Sequence, residues 1–197
     1  MQLPQTALLS IGAPCLIPLM DLDEGSAWFP SFTDNGDDIP ATSSVAQKGL
    51  GKTRKQIQLF LEKCVFVDGR WKDCPQKVLL FGFSQGGCVA LDLALAMSPS
   101  YCIGGVVSVC GWLEEGMGTK ARKQVDVLVV QGTKDPLLPV SDAKRKQVYL
   151  EGLMLDSVHL DVAIDYNEMQ RIMAFFASHM TLRNIKLEAM SDVYEVK

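Results

Sequence analysis

A glycine-flanked serine between an apolar segment and a helical segment constrains this chain more than any other feature. The segment reads Lys77-Val-Leu-Leu-Phe-Gly-Phe-Ser-Gln-Gly-Gly-Cys88. Its run of residues 78–81 carries no polar side chain, which is typical of a strand buried on both faces of a parallel sheet. Ser84 then stands in a Gly-x-Ser-x-Gly turn, where a tight change from strand to helix needs neighbours without a Cβ atom. The pattern predicts a nucleophile elbow, a strained turn that presents the serine hydroxyl away from the sheet.

Small and apolar residues continue after the serine as the pattern of a buried helix over residues 87–97. The first backbone N–H groups of such a helix, including that of Gln85, lie where an oxyanion would form. We therefore predict Gln85 as an oxyanion donor. The alternative is an ordinary glycine-rich turn between a strand and a helix.

Apolar runs alternate with helical patterns after the first fifty residues, which predicts an α/β domain with a parallel sheet and flanking helices. A polar stretch with four prolines over residues 12–42 predicts a long loop across the sheet. The predicted strands span residues 7–11, 78–83, 105–109, 125–130 and 158–164. The predicted helices span residues 45–64, 87–97, 141–155 and 167–180.

The composition favours one globular domain. A chain of 197 residues with 48% hydrophobic content can bury a sizeable core. We expect the domain to span residues 1–180, followed by a tail over residues 181–197. A net charge of −4 with scattered basic residues gives no nucleic-acid surface. Because the first residues carry no basic signal region and no apolar run is long enough to span a bilayer, we expect a cytoplasmic protein.

A serine nucleophile needs an acid and a base, which in hydrolases of this type follow the serine in that order. Asp135 comes shortly after the apolar run 125–130 and would lie at the strand end that carries Ser84. It is the predicted acid. The alternative is a turn aspartate placed before Pro136.

The chain has two histidines, so the search for a base is short. His159 follows the acid in chain order and is the candidate base. It stands near the start of the predicted strand 158–164, however, so we expect it to lie within that strand and away from the serine. His179 ends a predicted helix, where a cation is favourable because of the helix dipole.

Other chemistries have weaker support. Residues 46–53 resemble a P-loop, but Ala46 replaces its first glycine and no strand precedes it. Two distant histidines and scattered thiols give no metal site, and we expect no cofactor. None of the six cysteines has CxxC spacing, and Cys88, Cys102 and Cys110 lie in apolar runs. Reduced core thiols are therefore expected rather than disulfides.

Four segments carry a shared resemblance. They are GFSQGG around Ser84, GTKDPLLP around Asp135, Ser26-Ala-Trp-Phe29 and Val109-Cys-Gly-Trp-Leu113. Together they resemble the acyl-protein thioesterase and carboxylesterase family of serine hydrolases, over about residues 7 to 180. The resemblance implies an α/β-hydrolase fold and a cytosolic, cofactor-free enzyme that hydrolyses thioesters or esters of acylated proteins or small molecules. It implies Ser84 as nucleophile and Asp135 as acid, and it places Trp112 and Leu113 along an acyl channel.

The chain departs from the family pattern in two places. Family members have a strand and a His-Gly turn upstream of the stretch that begins here near Thr6, and that turn donates the second oxyanion N–H. We therefore expect an N-terminally incomplete sheet, in which the strands 7–11 and 78–83 pair directly or the sheet stays open. The family's catalytic histidine turn is replaced by Ile164-Asp-Tyr-Asn-Glu168. These departures predict a serine hydrolase of impaired activity and marginal stability; the alternative is a non-catalytic member that binds lipid-like ligands or protein partners.

Overall fold

The computed structural model of the chain contains a parallel sheet covered by helices, and it describes residues 6–21, 25–67, 71, 74–97, 103–117, 125–154, 158–163 and 168–180. Two short strands, β1 (Cys15–Leu16) and β2 (Ser26–Ala27), form a separate antiparallel pair. The main sheet has the order β3-β4-β5-β6, with all neighbours parallel. Its strands are β3 (Leu79–Phe83), β4 (Gly105–Val109), β5 (Asp126–Gly132) and β6 (Val158–Ala163).

Four helices cover the sheet. They are α1 (Ser44–Phe60), which continues as a π-helical turn over Leu61–Val65, α2 (Gln85–Ala96), α3 (Val140–Met154) and α4 (Glu168–His179). A 3₁₀ turn over Pro75–Lys77 leads into β3. Ser43 caps α1, because its hydroxyl accepts a hydrogen bond from the Ala46 N–H at 3.2 Å.

The two faces of the sheet are packed by different helices. Val106 of β4 faces the main core with α2 and α3, whereas Val107 faces a second core built on α4. Both valines are fully buried, at 0% exposure. The apolar runs at β4 and β5 are continuous because each strand buries alternate residues on opposite sides.

The elbow strand β3 differs from the central strands because it lies at the edge of the described sheet. Phe81 and Phe83 remain 54% and 66% exposed. The prediction that the sheet stays open beside this strand is therefore confirmed for the part of the chain that the structure describes.

The sequence-based assignments hold for all four strands of the main sheet and for the four helices, with boundaries shifted by a few residues. The predicted strand at 7–11 is wrong: these residues form no strand, and Leu8 and Leu9 are 68% and 61% exposed. An apolar run becomes a strand only when a neighbour pairs with it, and no described strand pairs with this run. The predicted loop 12–42 contains β1 and β2, which are too short to show periodicity. Residue 155 of the predicted helix 141–155, residues 164–167 of the segment that replaces the histidine turn and the predicted tail 181–197 lie outside the described residues.

The segment that resembles a P-loop lies inside α1, so its residues 51–53 are helical. The buried Thr53 uses its hydroxyl to bind the Trp28 carbonyl at 2.5 Å. This segment is therefore a helix that anchors the loop around Trp28. Within the described ranges, no helix combines the length and the hydropathy that a bilayer crossing requires.

Two glycine substitutions test the packing of α4 on the sheet. A Cβ atom at Gly105 would lie 2.9 Å from Phe175 Cζ and 3.2 Å from the Asp126 carbonyl oxygen. We expect Gly105→Ala to lower the free energy of unfolding by about 1–3 kcal/mol, because the ring and strand must move apart. Gly152→Ala in α3 is the matched control, since its Cβ atom meets nothing within 4 Å. Loss of a helical glycine there should raise stability by up to about 1 kcal/mol. Urea unfolding followed by circular dichroism measures the free energy of unfolding of both variants. Equal changes in Gly105→Ala and Gly152→Ala would contradict the close packing of Gly105 against Phe175.

Candidate active site

Ser84 occupies a strained turn between β3 and α2. Its φ of 51° and ψ of −121° are rare for a residue with a side chain and cost about 1–3 kcal/mol. The Ser84 N–H donates to the Val109 carbonyl at 2.8 Å, and the Ser84 carbonyl accepts from the N–H of Gly87 at 2.9 Å. These bonds hold the turn against its strain. The serine hydroxyl makes no capping bond to α2, although serine usually caps a helix in this position.

The glycines around Ser84 are explained by close approaches of the backbone. A Cβ atom at Gly82 would lie 2.2 Å from the Gly86 carbonyl oxygen. A Cβ atom at Gly111, after β4, would lie 2.4 Å from the carbonyl oxygen of Ser84 itself. Because backbone atoms cannot yield at these distances, larger residues would open the turn. The turn thus has the geometry that the Gly-x-Ser-x-Gly pattern predicts.

The Gln85 side chain fastens a loop onto this turn. Its Oε1 accepts from the Trp28 N–H at 2.9 Å, and its Nε2 donates to the Phe29 carbonyl at 3.2 Å and to the Ser31 hydroxyl. The Trp28 indole lies over the start of α2, with Nε1 3.1 Å from the position that a Cβ atom of Gly86 would occupy. We call this set of contacts the Gln85 clamp. The Gln85 clamp could not be predicted from the sequence, because no periodicity or spacing identifies the partners of a single glutamine side chain.

The backbone N–H of Gln85 is the first in α2, so it has no acceptor within the helix. It lies next to Ser84, where the prediction of an oxyanion donor requires it. That role stays a prediction, since no anion occupies the position.

Asp135 follows β5 in a turn closed by its own carboxylate. Oδ1 accepts from the N–H groups of Leu137 at 2.8 Å and Leu138 at 3.4 Å, and Oδ2 accepts from Gln131 Nε2 at 2.9 Å. Partial burial raises the pKa of Asp135, but these bonds and one from the Cys110 thiol outweigh it and hold the pKa below the ordinary value of 3.8. Asp135 is therefore a carboxylate at neutral pH. It also closes a turn, as the alternative assignment predicted, so its contacts alone do not decide between the two roles.

The sheet register brings Ser84 and Asp135 to the same end of the sheet. Phe83 aligns with Val109, and Val109 aligns with Val130. The chain segments that follow these residues therefore all leave the sheet at its carboxyl end. Since Ser84 comes directly after Phe83 and Asp135 follows β5, both predicted site residues stand at this carboxyl end of the sheet, which we call the serine rim.

A buried glutamine connects this rim to the core. Gln131 is fully buried, and its Oε1 accepts from Trp112 Nε1 at 2.7 Å while its Nε2 donates to Asp135. Gln131 was not among the predicted site residues, although a polar residue directly after the apolar run 125–130 is a signal of such a role. Trp112 and Leu113 are 4% and 0% exposed in the main core. Their packing shows no open surface, so the acyl-channel role stays a prediction.

The structure does not bring His159 to Ser84. His159 lies within β6, as expected, and aligns with Leu128 of β5. Through Leu128 and Val107 it is level with Phe81 of β3, three residues before Ser84. Three strand spacings across the sheet and three residues along it place it roughly 17 Å from Ser84. A general base must lie within hydrogen-bond reach of its nucleophile.

His179 lies at the opposite end of the sheet from Ser84. Its Nε2 is 3.0 Å from the carboxylate of Asp126, the first residue of β5, and its Nδ1 is 2.8 Å from the Phe175 carbonyl oxygen. The chain has two histidines, and neither stands at the serine rim.

The other candidate nucleophiles and ligands form no second site among the described residues. No disulfide joins Cys15, Cys64, Cys74, Cys88 and Cys110. Burial raises the pKa of the Cys88 thiol to about 11, so this thiol is protonated and unreactive at neutral pH. Cys102 lies outside the described residues. Over the same ranges, no group of three or more His, Cys, Asp or Glu side chains could hold a metal ion.

Comparison with known proteins decides the family. Residues 1–180 match the family described as phospholipase/carboxylesterase. The chain belongs to the phospholipase/carboxylesterase family. This membership confirms the resemblance inferred from the segments around Ser84 and Asp135.

Curated relatives of this phospholipase/carboxylesterase chain include two fungal proteins. It is 30% identical over 89 residues to acyl-protein thioesterase 1 of Gibberella zeae, covering 42% of this chain and 37% of that protein. It is 28% identical over 138 residues to acyl-protein thioesterase 1 of Kluyveromyces lactis, covering 65% of this chain and 58% of that protein. The matched regions thus span about a third to three-fifths of these relatives.

Solved structures share the α/β-hydrolase-like fold of the family. Esterase PE8 matches with a TM-score of 0.61 at 19% identity, covering 85% of this chain and 76% of that one. Acyl-protein thioesterase 2 of Zea mays matches with a TM-score of 0.54 at 15% identity, covering 79% and 73%. The four parallel strands and flanking helices are therefore an α/β-hydrolase-like fold.

Removal of the Gln85 clamp should loosen the loop over the elbow. We expect Gln85→Ala to increase amide hydrogen exchange at Trp28, Phe29 and Ser31 at least tenfold, because all three lose a bond to this side chain. Gln58→Ala is the control, since Gln58 binds only the Ala96 carbonyl at the far end of α2. Unchanged exchange in Gln85→Ala would mean that the loop is held by other contacts.

The titration of Asp135 tests the network around it. A pKa lowered by folding contributes stability that is present above the unfolded value and is lost as the pH falls through the folded value. We expect Gln131→Met to raise the pKa of Asp135 toward 3.8, because one donor to the carboxylate is lost. Carboxyl-carbon NMR measures this pKa. Gln47→Met is the control: it removes an exposed hydrogen bond to the Thr42 carbonyl and should leave the pKa of Asp135 unchanged. An unchanged pKa of Asp135 in both variants would show that Gln131 does not stabilise the carboxylate.

Proposed function

We propose that this chain is a serine hydrolase of the acyl-protein thioesterase and carboxylesterase type, with Ser84 as nucleophile and Asp135 as acid. Its family membership supports hydrolysis of esters or thioesters. The single observation that carries the assignment of Ser84 is its strained backbone, with a φ of 51° on a non-glycine residue between β3 and α2. An ordinary turn between a strand and a helix does not need such strain.

The proposed reaction has two steps. The Ser84 hydroxyl attacks the carbonyl carbon of the ester or thioester, and the leaving alcohol or thiol departs with the serine proton while an acyl-enzyme forms. Water then releases the acid and restores the hydroxyl. The Gln85 N–H donates to the oxyanion in both steps.

The arrangement of the described residues supports a slow version of this reaction. Neither histidine reaches Ser84, so the serine proton reaches the leaving group through solvent, and the reaction loses the large acceleration that a positioned base supplies. We do not assign His159 as the base.

The proposed substrate and location are based on the relatives and on the family. The names of the two fungal proteins point to acylated proteins, and the family name adds small esters and phospholipids. We propose an acylated protein or a small carboxylic ester as the substrate and the cytoplasm as its location, with no cofactor or nucleic acid.

The second candidate function is a binding protein that keeps the fold without the chemistry. The position of His159 roughly 17 Å from Ser84 favours it, because a family member without a base can still bind acyl groups.

A fluorophosphonate probe separates the two candidates. We expect labelling of the folded chain at a single site, slow but saturable, and its loss in Ser84→Ala. Ser141→Ala, which changes an exposed serine of α3, should label as the parent chain does. Absence of labelling in folded protein would overturn the hydrolase and support the binding protein. His159→Ala should shift the midpoint of unfolding, because this residue lies within β6. It should change any residual labelling rate of Ser84 little.

A further inference from the structure

Trp28 is held beside the elbow by its backbone. Its N–H donates to Gln85 Oε1 at 2.9 Å, and its carbonyl accepts from the Thr53 hydroxyl of α1 at 2.5 Å. The next residue, Phe29, is 4% exposed and belongs to a buried cluster with Leu50 of α1. Because the backbone is bonded on both sides and the neighbouring ring is buried, the Trp28 side chain has a fixed starting point next to α2.

The indole turns its nitrogen edge toward the first turn of α2. From the position that a Cβ atom of Gly86 would occupy, Nε1 is the nearest ring atom at 3.1 Å, whereas Cδ1 and Cε2 lie 3.8 and 3.9 Å away. These two carbons flank Nε1 in the ring, and their nearly equal distances mean that the N–H side of the indole faces this corner. A side chain at Gly86 would fill the space in front of the nitrogen.

The N–H of this indole differs from that of Trp112 in its use. Trp112 is buried and donates from Nε1 to Gln131, whereas the hydrogen bonds of Trp28 within the described ranges all use its backbone. Trp28 is half-buried, and every fully buried side-chain nitrogen or oxygen in the same ranges has a partner. Its Nε1–H is therefore within reach of solvent, and an oxygen of a ligand can take the place of that water.

The corner that the indole faces is the one where the proposed reaction develops charge. Gly86 directly follows Gln85, whose N–H is the predicted oxyanion donor, and it lies two residues after Ser84. Donors that are aimed in advance at a developing oxyanion stabilise it strongly, since they need no rearrangement during the reaction. The Gln85 clamp supplies this positioning, because the residue that offers its backbone N–H also holds Trp28 with its side chain.

We propose that the Trp28 indole N–H is a second hydrogen-bond donor to the carbonyl oxygen of the substrate, which becomes the oxyanion when Ser84 attacks. The inference rests on the proposed role of Ser84 as nucleophile. It makes Trp28 a catalytic residue and gives the Gln85 side chain a second purpose, since the side chain positions the indole as well as holding the loop. The competing assignment is that the indole only packs on α2 and touches no substrate.

Indole NMR tests this contact directly. The chain has three tryptophans, so isotope-labelled tryptophan gives three indole N–H signals, and Trp28→Phe identifies that of Trp28 by its loss. An alkyl fluorophosphonate exchanges its fluoride for the Ser84 oxygen, and the phosphoryl oxygen of the adduct stands in for the oxyanion. We expect the Trp28 indole proton to move downfield on labelling and to exchange with water at least tenfold more slowly, because it then donates to that oxygen. The Trp112 signal, from an indole already bonded to Gln131, should not move.

The rate of labelling gives a second measurement. We expect Trp28→Phe to lower the rate constant of labelling at saturation about 100-fold, with the half-saturating probe concentration little changed, because one oxyanion donor is lost. Trp71→Phe is the matched control, since Trp71 packs against the main core and its indole N–H has no part in the proposed reaction. It should label at the rate of the parent chain. Circular dichroism verifies that both variants are folded.

The outcomes separate this inference from the proposed function. Labelling of Ser84 without a change in the Trp28 signal, or at equal rates in Trp28→Phe and the parent chain, would overturn the role of Trp28 and leave the hydrolase standing. Absence of labelling in the folded parent chain would overturn both. If Trp28→Phe does not fold, Trp71→Phe and the slow exchange of the buried Trp112 identify the Trp28 signal by elimination. Its shift in the parent chain then decides.

Discussion

The strained backbone of Ser84 is the feature on which the rest of this site depends. A residue with a φ of 51° between a strand and a helix persists only where its surroundings hold it. Here β4 supplies the acceptor for its N–H, α2 supplies the donors to its carbonyl, and Gly82 and Gly111 leave the space that the turn needs. The sheet register, the helix start and the glycine positions therefore all hold the backbone of this one half-buried serine.

Asp135 is held firmly by its hydrogen bonds, whereas neither histidine stands beside Ser84. Asp135 stays ionised because backbone and side-chain donors surround it, and Gln131 links it to the buried indole of Trp112. Both histidines belong to other parts of the fold: His159 lies near the start of β6, and His179 contacts the carboxylate of Asp126. The proposed nucleophile Ser84 and the proposed acid Asp135 therefore stand at one end of the sheet with neither histidine beside them.

The sequence was sufficient to predict β3, α2, the ranges of the other main-sheet strands and the place of Asp135 after β5, because glycine positions and apolar runs act over a few residues. The prediction of a strand at 7–11 was wrong because no described strand lies beside this apolar run. Only the tertiary structure shows whether a run has such a neighbour. Gln85 and Gln131 were missed as connectors for the same reason: a glutamine amide can bind many partners, and only the fold brings Trp28 or Asp135 to it. The large distance between His159 and Ser84 was predictable, because His159 stands near the start of a predicted strand whereas Ser84 follows the end of one.

The central claim is that Ser84 is a nucleophile at an elbow without a histidine base. The pH dependence of its phosphonylation rate between pH 5 and 9 tests this most directly. Without a histidine base, the logarithm of the rate should rise steadily with pH, because hydroxide or solvent removes the proton. A histidine base would instead give a sigmoidal rise with an inflection between pH 5 and 8. An inflection in that range that disappears in His159→Ala would contradict the account and restore a full triad.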